Sequence, residues 1–387
     1  MSNMDSIYLD HNATTPTHPE VIKAMLRCYR AGYANPASQH RPGQQAHRVL
    51  EEAREQIGRH LGADLAGRQP DRVLFTSGGT EANNLAILGI SQARAGSQPG
   101  RIVISAIEHP SVIEPAEHLL EHGWRLDTLA VTGDGVVRSE LLPPLLTPET
   151  QLVSVILGNH ETGVVQPVAQ LATVCQAAGV PLHTDAVQVV GKRPVDFRSL
   201  GVSAMSVAAH KFQGPLGIGV LIVRHDVPIA PQLFGGNQQW GLRPGTESVA
   251  LAVGMATALE LWHQDHEAES RRLTALRERF EHGLRAGFPE LVINGAAADR
   301  LPHTSSIAFP GLDAQVLLMA FDMAGVACSV GSACSSGSTE LSPTLRAMGL
   351  PKELLTSSLR FSLGSTTTEA QIDEAVGRIL HVVHQLR

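Results

Sequence analysis

Three residues stand where their types and spacing do chemistry. Lys211 closes the run Ser206-Val-Ala-Ala-His210-Lys211 and is followed by Phe-Gln-Gly-Pro-Leu-Gly-Ile-Gly, a glycine-rich turn. A lysine where a buried strand ends loses its proton cheaply and can form a Schiff base. Asp185 lies 26 residues earlier, in His183-Thr184-Asp185-Ala186-Val187-Gln188, at a second strand end. A carboxylate with little solvent around it wants a cationic partner, and a protonated pyridine nitrogen serves. An acid on the ring nitrogen and a lysine on the aldehyde is the pair that pyridoxal phosphate requires. Taken alone, Asp185 also fits a helix N-cap. The third residue is Cys334, in Val330-Gly-Ser-Ala-Cys334-Ser-Ser-Gly-Ser338. Small polar neighbours mark an accessible, reactive thiol rather than a packed one.

A supporting motif is Phe75-Thr-Ser-Gly78-Gly79-Thr80-Glu81-Ala-Asn83, a strand, a glycine turn and a helix start. Free backbone N–H groups and the helix dipole bind an anion there, and Thr80 adds a hydroxyl. The turn lacks the Walker lysine and the GxGxxG spacing, which argues against nucleoside triphosphates and dinucleotides. Cys28 and Cys175 lie on helical patterns and Cys328 follows Gly325-Val-Ala, so these read as packing residues. No His/Cys cluster has metal-ligand spacing, and no metal is expected.

The elements that position these residues alternate. Short β-rich runs at 72–75, 101–105, 152–156, 180–183, 204–207 and 219–223 are separated by helical periodicity such as Leu171, Val174, Cys175 and Ala178. This implies βαβ units and a mostly parallel sheet, with ligands at the carboxyl ends of its strands. The proline-free stretch 248–286 predicts one or two long helices leading out of the sheet, with an exposed charged centre at 264–272. Runs at 305–309 and 359–362 and a helix over 369–386 complete a smaller α+β unit. The expected division is a large domain over 16–260 and a small one from 1–15 and 261–387, the cysteine loop spanning about 330–342.

Composition narrows the function classes. The chain has 387 residues, 43% hydrophobic and 17% charged, with a net charge of −7. That excludes a basic nucleic-acid binder and a disordered chain. Four cysteines are too few for a disulfide scaffold. The opening MSNMDSIYLD reads as no signal peptide, and no apolar run approaches the roughly 20 residues of a membrane helix. A soluble cytoplasmic protein is the expectation.

The ordered blocks resemble one family closely: cysteine desulfurases of the NifS/IscS type, within the class V aminotransferases of fold-type I. The blocks are Tyr8-Leu-Asp-His-Asn-Ala-Thr-Thr-Pro16, Asn35-Pro-Ala-Ser, Thr76 to Glu81, Glu108-His109, Glu161-Thr-Gly-Val-Val-Gln166, Asp185 to Gln188, His210-Lys211, Arg243-Pro-Gly-Thr246, Gly331 to Cys334 and Leu359 to Gly364. The resemblance implies the fold-type I architecture, a large domain with a seven-stranded-type, mostly parallel sheet beside a smaller α+β domain. It also implies a homodimer.

By position, Lys211 would tether pyridoxal 5'-phosphate and Asp185 would pair with its ring nitrogen. Gln188 and His160 would meet the phenolic oxygen. Gly79, Thr80 and His210 would hold the phosphate, with Thr246 reaching it from the other subunit. His109 would stack on the ring and pass protons, while Arg360 and Asn159 would take the substrate. L-Cysteine would give up its sulfur to Cys334 as a persulfide, leaving L-alanine. The persulfide would then pass to an acceptor protein, an iron–sulfur scaffold or a tRNA-thiolation relay. A selenocysteine or cysteine/cystine lyase is the alternative with the same cofactor, and a non-catalytic platform for a sulfur acceptor is a further one. Three positions depart from the family pattern: His160 in place of asparagine, Ala208 in place of a phosphate-binding serine, and Gln239-Trp240 in place of a Glu-Arg type pair.

Overall fold

The computed structural model describes residues 6–331 and 341–387. Cys334, with most of the loop expected to carry it, lies outside the described residues. Among the described residues the strands are β1 (Ile7–Tyr8), β2 (Arg72–Thr76), β3 (Arg101–Ser105), β4 (Arg125–Leu129), β5 (Thr150–Ser154), β6 (Leu182–Asp185), β7 (Ala204–Ala208), β8 (Gly219–Val223), β9 (Val292–Ile293), β10 (Thr304–Ala308), β11 (Val326–Ala327) and β12 (Ser358–Ser362). A seven-stranded sheet has the order β2-β8-β7-β6-β5-β3-β4. The run from β7 to β4 is parallel, and β8 is antiparallel to both of its neighbours. The central strands β6, β7 and β8 are buried at every position, as expected for a sheet covered on both faces by helices.

Two strand positions move from the expected ones. The run at 152–156 pairs as Thr150–Ser154, and that at 180–183 as Leu182–Asp185. Continuous apolar runs give no alternation to set their ends. β4 goes unsignalled in the sequence because it is an edge strand carrying Arg125, Asp127 and Thr128, half in solvent.

The proline-free stretch is one helix, Val249–Gly287. Its first half packs Met255 and Leu259 into the core beneath the large sheet. Its second half sets Leu273, Leu276, Phe280 and Leu284 into a separate core with Phe309, Phe321 and Phe361. Between them the exposed centre is held by the pairs Arg271–Glu267 and Arg272–Glu269, each worth a few tenths of a kcal/mol, by order of magnitude about 0.3. Arg272 also donates to the carbonyls of Gly364, Ser365 and Thr367. β1 pairs with β11, returning the amino-terminal segment to the second core. Leu345 and Met348 pack on the larger core although they follow the cysteine segment.

Gly191 shows how closely the turn before Lys192 meets the one carrying Lys211. Its φ is 78°, and a Cβ there would lie 2.1 Å from Cβ of Phe212. Both the left-handed backbone and the contact exclude a side chain. Gly191→Ala is expected to destabilise the protein by more than about 1 kcal/mol, read as a lower urea midpoint at unchanged slope.

Candidate functional site

Five strand ends converge on one edge of the large sheet. β6 ends on Asp185, β7 leads into the turn Ala209–Lys211, and β3 leads to His109. β2 leads to the helix start at Gly79, and β5 to His160. Gly79, Thr80, His109, His160, Asp185, Gln188, His210 and Lys211 together line a cavity of about 260 Å³, joined by Ala208.

Asp185 is 4% exposed. Its Oδ1 accepts from the Val187 N–H at 2.9 Å and its Oδ2 from Asn83 Nδ2 at 2.7 Å. No ion pair to Asp185 forms among the described residues. A buried carboxylate served only by neutral donors is costly without a positive partner, so the cavity suits a ligand with a cationic nitrogen at that end.

Lys211 projects into the cavity with its ammonium on the carbonyls of Asn12 and Ala13. Burial and the Arg360 cation lower its pKa to about 8, against the pull of Asp185 and Asp10. Lys192 lies behind it and donates to the Lys211 carbonyl at 2.9 Å. Its own pKa is lowered to about 8 by burial.

His109 N-caps the helix Pro110–Glu121, and its ring meets that of His160 edge-on at 5.1 Å. Burial holds His160 well below the ordinary histidine pKa, helped by His109, Arg360 and Lys211. Its Nδ1 is buried without a partner among the described residues. The imidazole is therefore neutral. Gln188 donates from Nε2 to the Asn12 carbonyl at 3.0 Å, and His210 Nδ1 lies 3.2 Å from Thr14 Oγ1.

Asn159, Arg360 and Thr246 do not line this cavity, and Thr246 is the one expected to serve the other subunit. The Oδ1 of Asn159 accepts from Glu161 N, Thr162 N and Thr162 Oγ1, and its Nδ2 donates to the Ile107 carbonyl. Its amide is spent on shaping the loop and is not part of the cavity wall. Arg360 sits behind His160, donating to that residue's carbonyl at 3.0 Å and to Asp10 at 2.7 Å. Thr246 lines a separate open groove with Cys28, Tyr29 and Asn35. Among the described residues no group of three His, Cys, Asp or Glu is arranged to hold a metal ion.

Sequence reading missed the supporting partners. Asn12, Asn83, Ser111 and Lys192 are all buried and each touches a predicted residue. His183, 0% exposed, bridges Ser154 on β5 and Ser206 on β7, tying the strands that carry the site. No local signal marks them: Asn12 lies in Asp10-His11-Asn12-Ala13-Thr14-Thr15 and Lys192 beside Arg193, among other polar residues.

The family described as aminotransferase class-V matches residues 7–375. The chain belongs to that family. It is 43% identical to the IscS-like cysteine desulfurase of Mycobacterium tuberculosis over 375 residues, covering 95% of this chain and 94% of that one. A solved NifS-like protein superposes with a TM-score of 0.90 at 31% identity, covering 98% of this chain and 100% of that one. The solved structure of SspA in complex with cysteine has a TM-score of 0.80 at 29% identity, covering 92% and 99%. Within the class-V family the chain falls among the cysteine desulfurases, and the fold is theirs.

The lowered basicity of Lys211 is directly measurable. In cofactor-free protein, labelling of Lys211 by an amine-reactive reagent, followed by peptide mapping, is expected to rise with pH around a midpoint of about 8. A midpoint near 10.4, that of an ordinary lysine, would contradict the burial argument.

Proposed function

We propose that this cavity binds pyridoxal 5'-phosphate and converts L-cysteine to L-alanine, with Cys334 receiving the sulfur. The observation carrying this reading is the placement of Asp185 and Lys211 on one buried cavity, the acid lacking a cationic partner and the amine tuned to about 8. The cofactor, when bound, supplies an electron sink conjugated to the substrate's α-carbon.

The chain's own residues have the remaining tasks. Asp185 keeps a positive charge at the ring nitrogen. Asn83 holds the carboxylate in place, because a carboxylate oxygen demands the NH₂ face of that amide. Gln188 and His160 offer polar atoms to the ring oxygen, and the backbone at Gly79, with Thr80 and His210, offers donors to the phosphate. Ala208 contributes none, so those groups carry the anion without a serine there. Lys211 tethers the cofactor, and its neutral amine then takes the proton from the substrate's α-carbon. The carbonyls of Asn12 and Ala13 hold that amine in reach.

His109 stacks on the ring and moves protons at the reacting end. Arg360 offers the substrate carboxylate a two-pronged site, with Asp10 holding the guanidinium until substrate competes for it. Cys334, as thiolate, attacks the substrate sulfur: an S–S bond forms, the C–S bond breaks towards carbon, and the carbon gains a proton. The persulfide passes to an acceptor protein of iron–sulfur assembly or tRNA thiolation. The homodimer, with Thr246 of the partner subunit at the phosphate, and a cytoplasmic setting belong to the same reading. Among the described residues no helix is long and apolar enough to cross a membrane.

Two variants test the assignment. Lys211→Ala is expected to lose the visible absorbance of the lysine-bound cofactor, and an unchanged spectrum would overturn the role of Lys211. Cys334→Ser is expected to retain that absorbance and bind L-cysteine, yet release no sulfide under a thiol reductant. Normal turnover in the serine variant would move the acceptor thiol elsewhere.

A further inference from the structure

Ser111 belongs to none of the roles above, yet it touches the residues that carry them. It is 7% exposed and lines the same cavity. Its backbone N–H points at His109 Nδ1, 3.1 Å away, and its hydroxyl lies 2.7 Å from the same nitrogen. The hydroxyl is also 2.8 Å from Asn83 Nδ2, the amide nitrogen that donates to Asp185.

The directions of these bonds follow from the groups. Asp185 accepts, so Asn83 presents its NH₂ there, and the same NH₂ donates to Ser111 Oγ. With one lone pair of Oγ taken by that donor, its own hydrogen is free to point at His109. A backbone N–H can only donate, so Nδ1 accepts from Ser111 twice, once from the main chain and once from the hydroxyl. Nδ1 therefore carries a lone pair, and the single proton of the neutral ring sits on Nε2. Adding a second proton at Nδ1 would break the backbone bond and force the hydroxyl to reverse.

We propose that Ser111 is a positioning residue that fixes His109 as a neutral imidazole with its proton on Nε2. The hydroxyl ties this choice, through Asn83, to the carboxylate of Asp185. The charged and titratable groups facing His109 are Asp185 at the end of β6, Lys211 after β7, Arg360 on β12 and His160 after β5. Burial lowers the pKa of His109; Asp185 opposes this, and Lys211 and Arg360 reinforce it. The hydrogen bonds add a directional preference that charge alone does not give. Under the proposed function this makes His109 a donor at Nε2 throughout the neutral range, so its part in proton transfer begins with giving a proton rather than taking one.

The inference rests on the proposed function for its catalytic meaning, but not for its test. Nitrogen NMR of ¹⁵N-histidine-labelled full-length protein, with His109 assigned by loss of its signals in His109→Asn, reads tautomer and titration directly. The wild type is expected to show an unprotonated Nδ1 and a protonated Nε2 at neutral pH. In Ser111→Ala the His109 midpoint is expected to rise by about 0.5 to 1 pH unit, the worth of one ordinary hydrogen bond. Ser111→Thr, which restores the hydroxyl, should return it to the wild-type position. A proton on Nδ1 in the wild type, or an unmoved midpoint in Ser111→Ala, would overturn the proposal. Either result stands whether or not L-cysteine is the substrate.

Discussion

Asp185 ends β6 with one oxygen on a main-chain N–H and the other on an amide, in a strand that, like its neighbour β7, is buried throughout. A carboxylate in that position is tolerable only if something positive comes to it, and the chain keeps its own cations back. Lys211 is turned towards the carbonyls of Asn12 and Ala13, and Arg360 towards Asp10 and the His160 carbonyl. The cavity is thus left charged at one end and nucleophilic at the other. A ligand holding a cationic ring nitrogen opposite an aldehyde satisfies both ends at once.

The amino-terminal segment joins the two cores at this point. β1 is paired into the smaller one, and only a few residues on, the Asn12 carbonyl accepts from both Lys211 and Gln188 while its side chain donates to the His160 carbonyl and Thr304. A shift of the smaller unit against the larger sheet is therefore felt at the lysine through hydrogen bonds, without any change in the sheet. The continuous helix Val249–Gly287 limits such shifts, because its two halves are each packed into a different core.

Much of this was legible in the residues. The strand ends at Asp185 and before Lys211, the glycine turn at Gly79 and the final helix all follow from apolar runs closed by polar or glycine residues. Edge strand β4 was not, because a half-solvated strand with Arg125 and Asp127 has no apolar run. The partners of Asn159 were not legible either: an asparagine in a functional block fits a ligand contact and a loop-shaping role equally well from sequence, and its bonds here run to Ile107, Glu161 and Thr162. The second layer of Asn83, Ser111 and Lys192 was invisible because contacts between residues tens of positions apart leave no local pattern. Those contacts decide protonation, and protonation is what the chemistry uses.

Asp185→Asn tests the central claim most directly, since it removes the charge while keeping the side chain's shape and its bond to the Val187 N–H. Cofactor should still bind through Lys211, while alanine formation from L-cysteine falls by about a hundredfold or more, as when a single charge-stabilising group is lost. Wild-type turnover with asparagine at position 185 would contradict the claim that this buried carboxylate governs the site.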